Sequence, residues 1–68
     1  MEGNEKDLNF LSEYLGKRIV VVHKERGEER SVIGELRSVN KAFVAVRTDN
    51  GSVHAVRVDD VVKVKIKP

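Results

Sequence analysis

The sequence has no cysteine, no tryptophan and no glutamine, with one proline and three aromatic residues in 68 positions. Without cysteine there are no disulfides, no thiolate metal site and no cysteine nucleophile. The same absence fits a reducing compartment. A chain of this length holds one domain and buries only about 60% of the surface that its unfolded form exposes. A closed barrel, or burial against other subunits, must then replace the staples small domains often carry. No apolar run approaches the roughly 20 residues needed to span a bilayer. The polar start Met1-Glu2-Gly3-Asn4-Glu5-Lys6 lacks the apolar region of a signal peptide. The expectation is a cytoplasmic protein.

Catalytic signals are equally sparse. There is no glycine-rich phosphate loop and no nucleophile elbow. Asp59 and Asp60 are adjacent, and neighbours on a strand point apart; a turn that starts a short helix explains them better. His23 and His54 lie 31 positions apart with no ligand-like spacing, each in an expected strand. No catalytic residue, metal or cofactor is expected, so the protein reads as a binding or assembling module and not an enzyme.

What the sequence does have is charge and valine. Thirteen Lys and Arg face eleven Asp and Glu, a net charge of +2. Residues 1–16 carry Glu2, Glu5, Asp7 and Glu13 against Lys6, leaving −3, so the remaining residues carry +5. A basic body behind an acidic lead suits an anionic partner, or else forms a solvated mixed-charge surface.

Asn4 is a candidate helix cap, with Asp7 three residues on. Leu8, Leu11 and Leu15 recur at helical spacing and Gly16 stands where a C-terminal cap belongs, so a helix is expected over 5–15. Its leucines would cover the open end of a barrel. From Lys17 the period becomes two. Strands are expected over 18–24, 31–39, 42–48, 52–57 and 61–67, with residues 25–30 a charged loop turning at Gly27. Gly34 within the second strand marks a bend or a close backbone approach. Asn50-Gly51 predicts a hairpin joining the third and fourth strands. In the last strand Val62, Val64 and Ile66 alternate with Lys63, Lys65 and Lys67. The fold class is all-β with one N-terminal helix, a small five-stranded SH3-like barrel.

Two stretches resemble the Sm-like family. Gly34-Glu35-Leu36, followed by Asn40, is similar to that family's Gly-x-Leu with Asp or Asn four residues later. The run Ala55-Val56-Arg57-Val58-Asp59-Asp60-Val61-Val62 is similar to its closing apolar, Arg-Gly, polar-pair and apolar-strand pattern. With Leu15-Gly16-Lys17 after the helix, the resemblance covers nearly the whole chain. It implies a Sm-like barrel whose fourth and fifth strands join between copies into rings, and RNA as a ligand. The family's base-holding Asn and stacking side chain fall on Val44 and Ala42 here, and the Gly after Arg57 is Val58. A second resemblance, to the PRC-barrel group, rests on Leu15-Gly16-Lys17 and the late Asp60-Val61.

Asn40, Lys41, Arg57, Lys63 and Lys65 are therefore the candidate RNA-binding positions. Lys63, Lys65 and Lys67 share one strand face, and Arg37, Arg47 and Arg57 are expected on neighbouring strands to complete a basic patch. The lysines equally serve as edge protection against uncontrolled pairing. Phe10, Tyr14 and Phe43 look like core. Val53, Val62, Val64 and Ile66 are candidates for an oligomer interface, or ordinary barrel core. The leading expectation is a self-assembling Sm-like protein that binds single-stranded RNA without strong base readout. The rival is a protein-interaction or structural module that keeps the barrel and has lost nucleic-acid recognition.

Overall fold

The computed structural model describes residues 8–67. A 3-10 helix (Asn9–Tyr14) leads into β1 (Arg18–Glu25), β2 (Glu28–Val39), β3 (Phe43–Arg47) and β4 (Val53–Arg57); a 3-10 turn (Val58–Asp60) then precedes β5 (Val61–Ile66). The strands form one antiparallel sheet in the order β4-β3-β2-β1-β5. No ladder joins β4 to β5 among the described residues, so each is an edge.

The helix differs from expectation. It is 3-10 and not α, and the proposed Asn4 cap lies outside the described residues. A 3-10 helix repeats every three residues, so its inward stripe is Leu8, Leu11 and Tyr14. Leu11 is fully buried, with Leu8 and Tyr14 packed beside it. Leu15, expected to extend the stripe, is exposed because it enters a type II turn: Leu15 has φ −57° and ψ 134°, and Gly16 follows at φ +84°. The turn closes with Lys17 N–H donating to the Tyr14 carbonyl at 2.9 Å.

The charged loop expected over 25–30 is only a two-residue turn. Arg26 and Gly27 both have positive φ, 54° and 81°, as a type I′ hairpin turn requires. Glu28 to Arg30 therefore belong to β2 and pair back onto β1. All three are exposed, so no apolar alternation announced them.

β2 serves two neighbours. Its residues 28–35 pair with β1 and its residues 35–39 with β3, with a register shift between Leu36 and Ser38. Gly34 sits where the two halves meet. A Cβ there would lie 2.1 Å from the Arg47 carbonyl oxygen, which no side chain tolerates. The Asn50-Gly51 hairpin is present as expected, closing β3 onto β4. In β5 a register shift makes Val62 the extra residue: Val22 faces Lys63 while His23 faces Val61. Val61 thus turns into the core at 2% exposure and Val62 turns out at 45%.

The core is Leu11, Ile19, Val21, Leu36, Val44, Val46, Val56, Val58 and Val61, with no polar or charged side chain buried among the described residues. Such a thin core has little reserve. Gly34→Ala should destabilise the fold by about 3 kcal/mol, since a strand backbone must move to admit the methyl; urea unfolding with an unchanged m-value checks this.

Candidate sheet-edge and nucleic-acid interface

The edges follow from the ladder phase. Val58 N–H donates to the Ala42 carbonyl at 2.8 Å, and Thr48 N–H to the Ser52 carbonyl at 2.8 Å. Hydrogen-bonded and non-bonded pairs alternate in an antiparallel ladder. His54 and Val56 therefore bond to β3, and the N–H groups of Val53, Ala55 and Arg57 point along the open edge. On the other side, Lys67 N–H donates to the Arg18 carbonyl at 2.9 Å. By the same alternation Lys63 and Lys65 bond to β1, and the N–H groups of Val64 and Ile66 point outward. Of the four candidate interface residues, Val53, Val62 and Ile66 are exposed at 60%, 45% and 38%, while Val64 packs partly against the core.

The candidate RNA positions separate into two groups. Asn40, Lys41 and Arg57 meet at one corner. The Asn40 side-chain oxygen accepts from the Ala42 and Phe43 N–H groups at 2.7 and 2.8 Å, and its own N–H donates to the Phe43 carbonyl at 2.9 Å. Asn40 thus shapes the turn between β2 and β3, the self-bonding habit that suits Asn to turns. Lys41 projects from that turn and is exposed. Arg57 stands directly opposite Phe43 in a non-hydrogen-bonded pair, where side chains approach most closely. Phe43, expected in the core, is 44% exposed on the outer face, because the alternation that buries Val44 turns its neighbour out. An arginine beside an exposed aromatic ring is a platform on which a base can stack.

Lys63 and Lys65 lie on β5, at the opposite edge of the sheet. The expectation of neighbouring strands is therefore corrected: among the described residues the hydrogen-bonded neighbour of β5 is β1 alone. Arg37 is drawn to Glu35 at 3.3 Å. Arg18 grips the Asp49 carboxylate with both terminal nitrogens at 3.1 Å. That hydrogen bond, and then the Arg18 charge, hold the Asp49 carboxyl below its usual range. A lowered carboxyl stabilises the fold at neutral pH, and this support disappears as acid protonates Asp49.

The sequence spacing of His23 and His54 gives no reason to connect them. The structure places both in a cleft of about 430 Å³ together with Lys24, Glu25, Arg30, Arg57 and Asp60. No spacing in the sequence signals this. Among the described residues no group of three or more His, Cys, Asp and Glu is placed to hold a metal, and no helix is long and apolar enough to cross a membrane. No family model, curated protein or solved structure matches the chain.

Asn40→Ala should cost about 1 kcal/mol by removing the acceptor of the turn. Asn40→Asp, which keeps an oxygen there, should cost less; thermal unfolding of the two variants checks the order.

Proposed function

We propose that this is a Sm-like domain that self-assembles by joining the β4 edge of one copy to the β5 edge of the next, and that the assembly binds single-stranded RNA. The observation that carries the reading is the pair of open edges on one sheet. Each presents outward N–H groups and exposed valine or isoleucine. Isolated edges of that composition invite pairing. A head-to-tail contact of this kind builds rings when its rotation closes.

Assembly also explains the divided basic residues. Joining β4 to β5 sets Arg57 of one copy beside Lys63 and Lys65 of the next, so two half-patches on opposite edges become one. Phosphates are attracted to such a strip without regard to sequence. Phe43 adds a stacking surface beside Arg57, and stacking is tolerant of base identity. Base readout stays weak because Ala42, Val44 and Val58 offer no side-chain hydrogen bond.

Light scattering at micromolar concentration should give a mass several times that of the 7.7 kDa chain. Val53→Lys and Val62→Lys, both at exposed positions, should reduce it to the single chain; a monomeric wild type overturns the assembly reading. Titration of labelled U-rich and A-rich strands should show similar affinities that fall steeply with salt. Phe43→Ala should weaken both by roughly 1–3 kcal/mol per stacked base. Arg57→Ala should weaken binding more than Lys65→Ala. Absence of binding at low salt removes the RNA reading and leaves the protein-interaction module.

A further inference from the structure

The turn between β3 and β4 carries a reactive pair that neither edge pairing nor the outer-face platform uses. Of the four asparagines, Asn4, Asn9 and Asn40 are followed by Glu5, Phe10 and Lys41, and Asn50 alone precedes a glycine. The backbone nitrogen after an asparagine is a nucleophile aimed at that residue's own side chain. Glycine leaves the nitrogen unshielded because it has no Cβ. Asn50 and Gly51 are both exposed at the hairpin tip. A Cβ built on Gly51 would meet no heavy atom within 4 Å, so water reaches the pair freely.

The folded turn engages both reacting groups. The Gly51 N–H donates to the Thr48 carbonyl at 2.9 Å, so its proton is held away from the Asn50 side chain. The Asn50 side-chain oxygen accepts from the Ser52 N–H at 3.0 Å and from the Thr48 hydroxyl. The Thr48 N–H, donating to the Ser52 carbonyl at 2.8 Å, closes the loop. Attack therefore requires the turn to open. Exposed turns with few apolar contacts open at the lowest cost in a fold.

We propose that Asn50 is a site of spontaneous conversion to aspartate and isoaspartate, held in check by the Thr48 hydroxyl and released when the turn opens. The Gly51 nitrogen bonds to the Asn50 side-chain carbonyl carbon. The side-chain nitrogen leaves as ammonia, taking the Gly51 amide proton, and a five-membered imide remains. Water then opens the imide at one of its two carbonyls. Opening at the side-chain carbonyl gives aspartate, which keeps the oxygen that Ser52 and Thr48 hold. Opening at the main-chain carbonyl gives isoaspartate, whose backbone runs through the side-chain carbon and is one atom longer. That extra atom lies inside the turn that sets the register of β4 on β3, the strand's one ladder among the described residues. The aspartate product keeps the edge strand seated, and the isoaspartate product loosens it.

The test holds the full chain, folded and in denaturant, in mildly alkaline buffer and follows each asparagine by peptide mapping with mass spectrometry. Asn50→Asp supplies the standard that separates aspartate from isoaspartate. Asn50 should convert in both conditions, more slowly when folded, while Asn9 and Asn40 stay intact. Thr48→Val should speed the folded reaction about fivefold, the weight of one ordinary hydrogen bond. Thr48→Ser, which keeps the hydroxyl, should restore the slow rate, and in denaturant all three chains should react alike. No conversion in the folded protein, a folded rate equal to the denatured one, or a Thr48→Val rate equal to wild type overturns the proposal. Conversion of Asn9 or Asn40 as fast as Asn50 overturns it too. Hydrogen exchange of the purified products reads the consequence: the His54 and Val56 amides, which face β3, should lose protection in the isoaspartate chain alone. Equal protection in the two products overturns the claim on β4. None of these results depends on the oligomeric mass, which light scattering reports separately.

Discussion

Everything in this fold leans on the close passage of β2 over the end of β3 at Gly34. The second strand runs 12 residues and must serve two partners whose directions diverge. It does so by giving up its side chain where the Arg47 carbonyl comes nearest, and by shifting register just beyond. One half of β2 then aligns β1 and, through it, β5. The other half aligns β3 and, through it, β4. The bend thereby fixes which strands become edges.

Nine apolar side chains fill the space beneath this sheet, and valine dominates them. Valine is stiff and suits strands, yet it contributes less buried area than leucine or phenylalanine. The larger apolar residues are spent elsewhere: Phe10, Leu15, Ile33, Phe43 and Ile66 are all exposed. A domain that is thin inside and apolar at its edges is one that the proposed self-assembly would stabilise. The same economy explains why the lysines sit on the outer face of β5. They keep an open edge soluble without entering the row of backbone groups available for pairing.

Much of the sheet was legible because alternation is a local property. Val62 to Lys67 and Phe43 to Arg47 display it, and Asn50-Gly51 announces its own turn. What escaped depends on events that a period of two cannot encode. The start of β2 at Glu28 is hidden because every side chain there faces water. The inward turn of Val61 and outward turn of Val62 come from a single bulge, and a one-residue shift exchanges faces. The helix was misread because Leu8, Leu11 and Leu15 fit a period of 3.6, whereas Leu8, Leu11 and Tyr14 fit the period of three that the chain adopts. Of the candidate residues, Asn40, Lys41 and Arg57 fall at one corner of the sheet, where Phe43, expected in the core, is exposed. The cleft that His23 and His54 both line had no local signal at all.

Edge pairing makes one demand that no other arrangement shares. The amides of Val53, Ala55 and Arg57 on β4, and of Val64 and Ile66 on β5, point to open space in the single chain but into a shared ladder in the assembly. Amide hydrogen exchange across a dilution series resolves these five positions residue by residue. Protection of all five together, appearing with the larger species and lost on dilution, is the result that joined edges require. An assembled species in which these amides exchange as freely as in the dilute chain would show that the copies meet through some other surface.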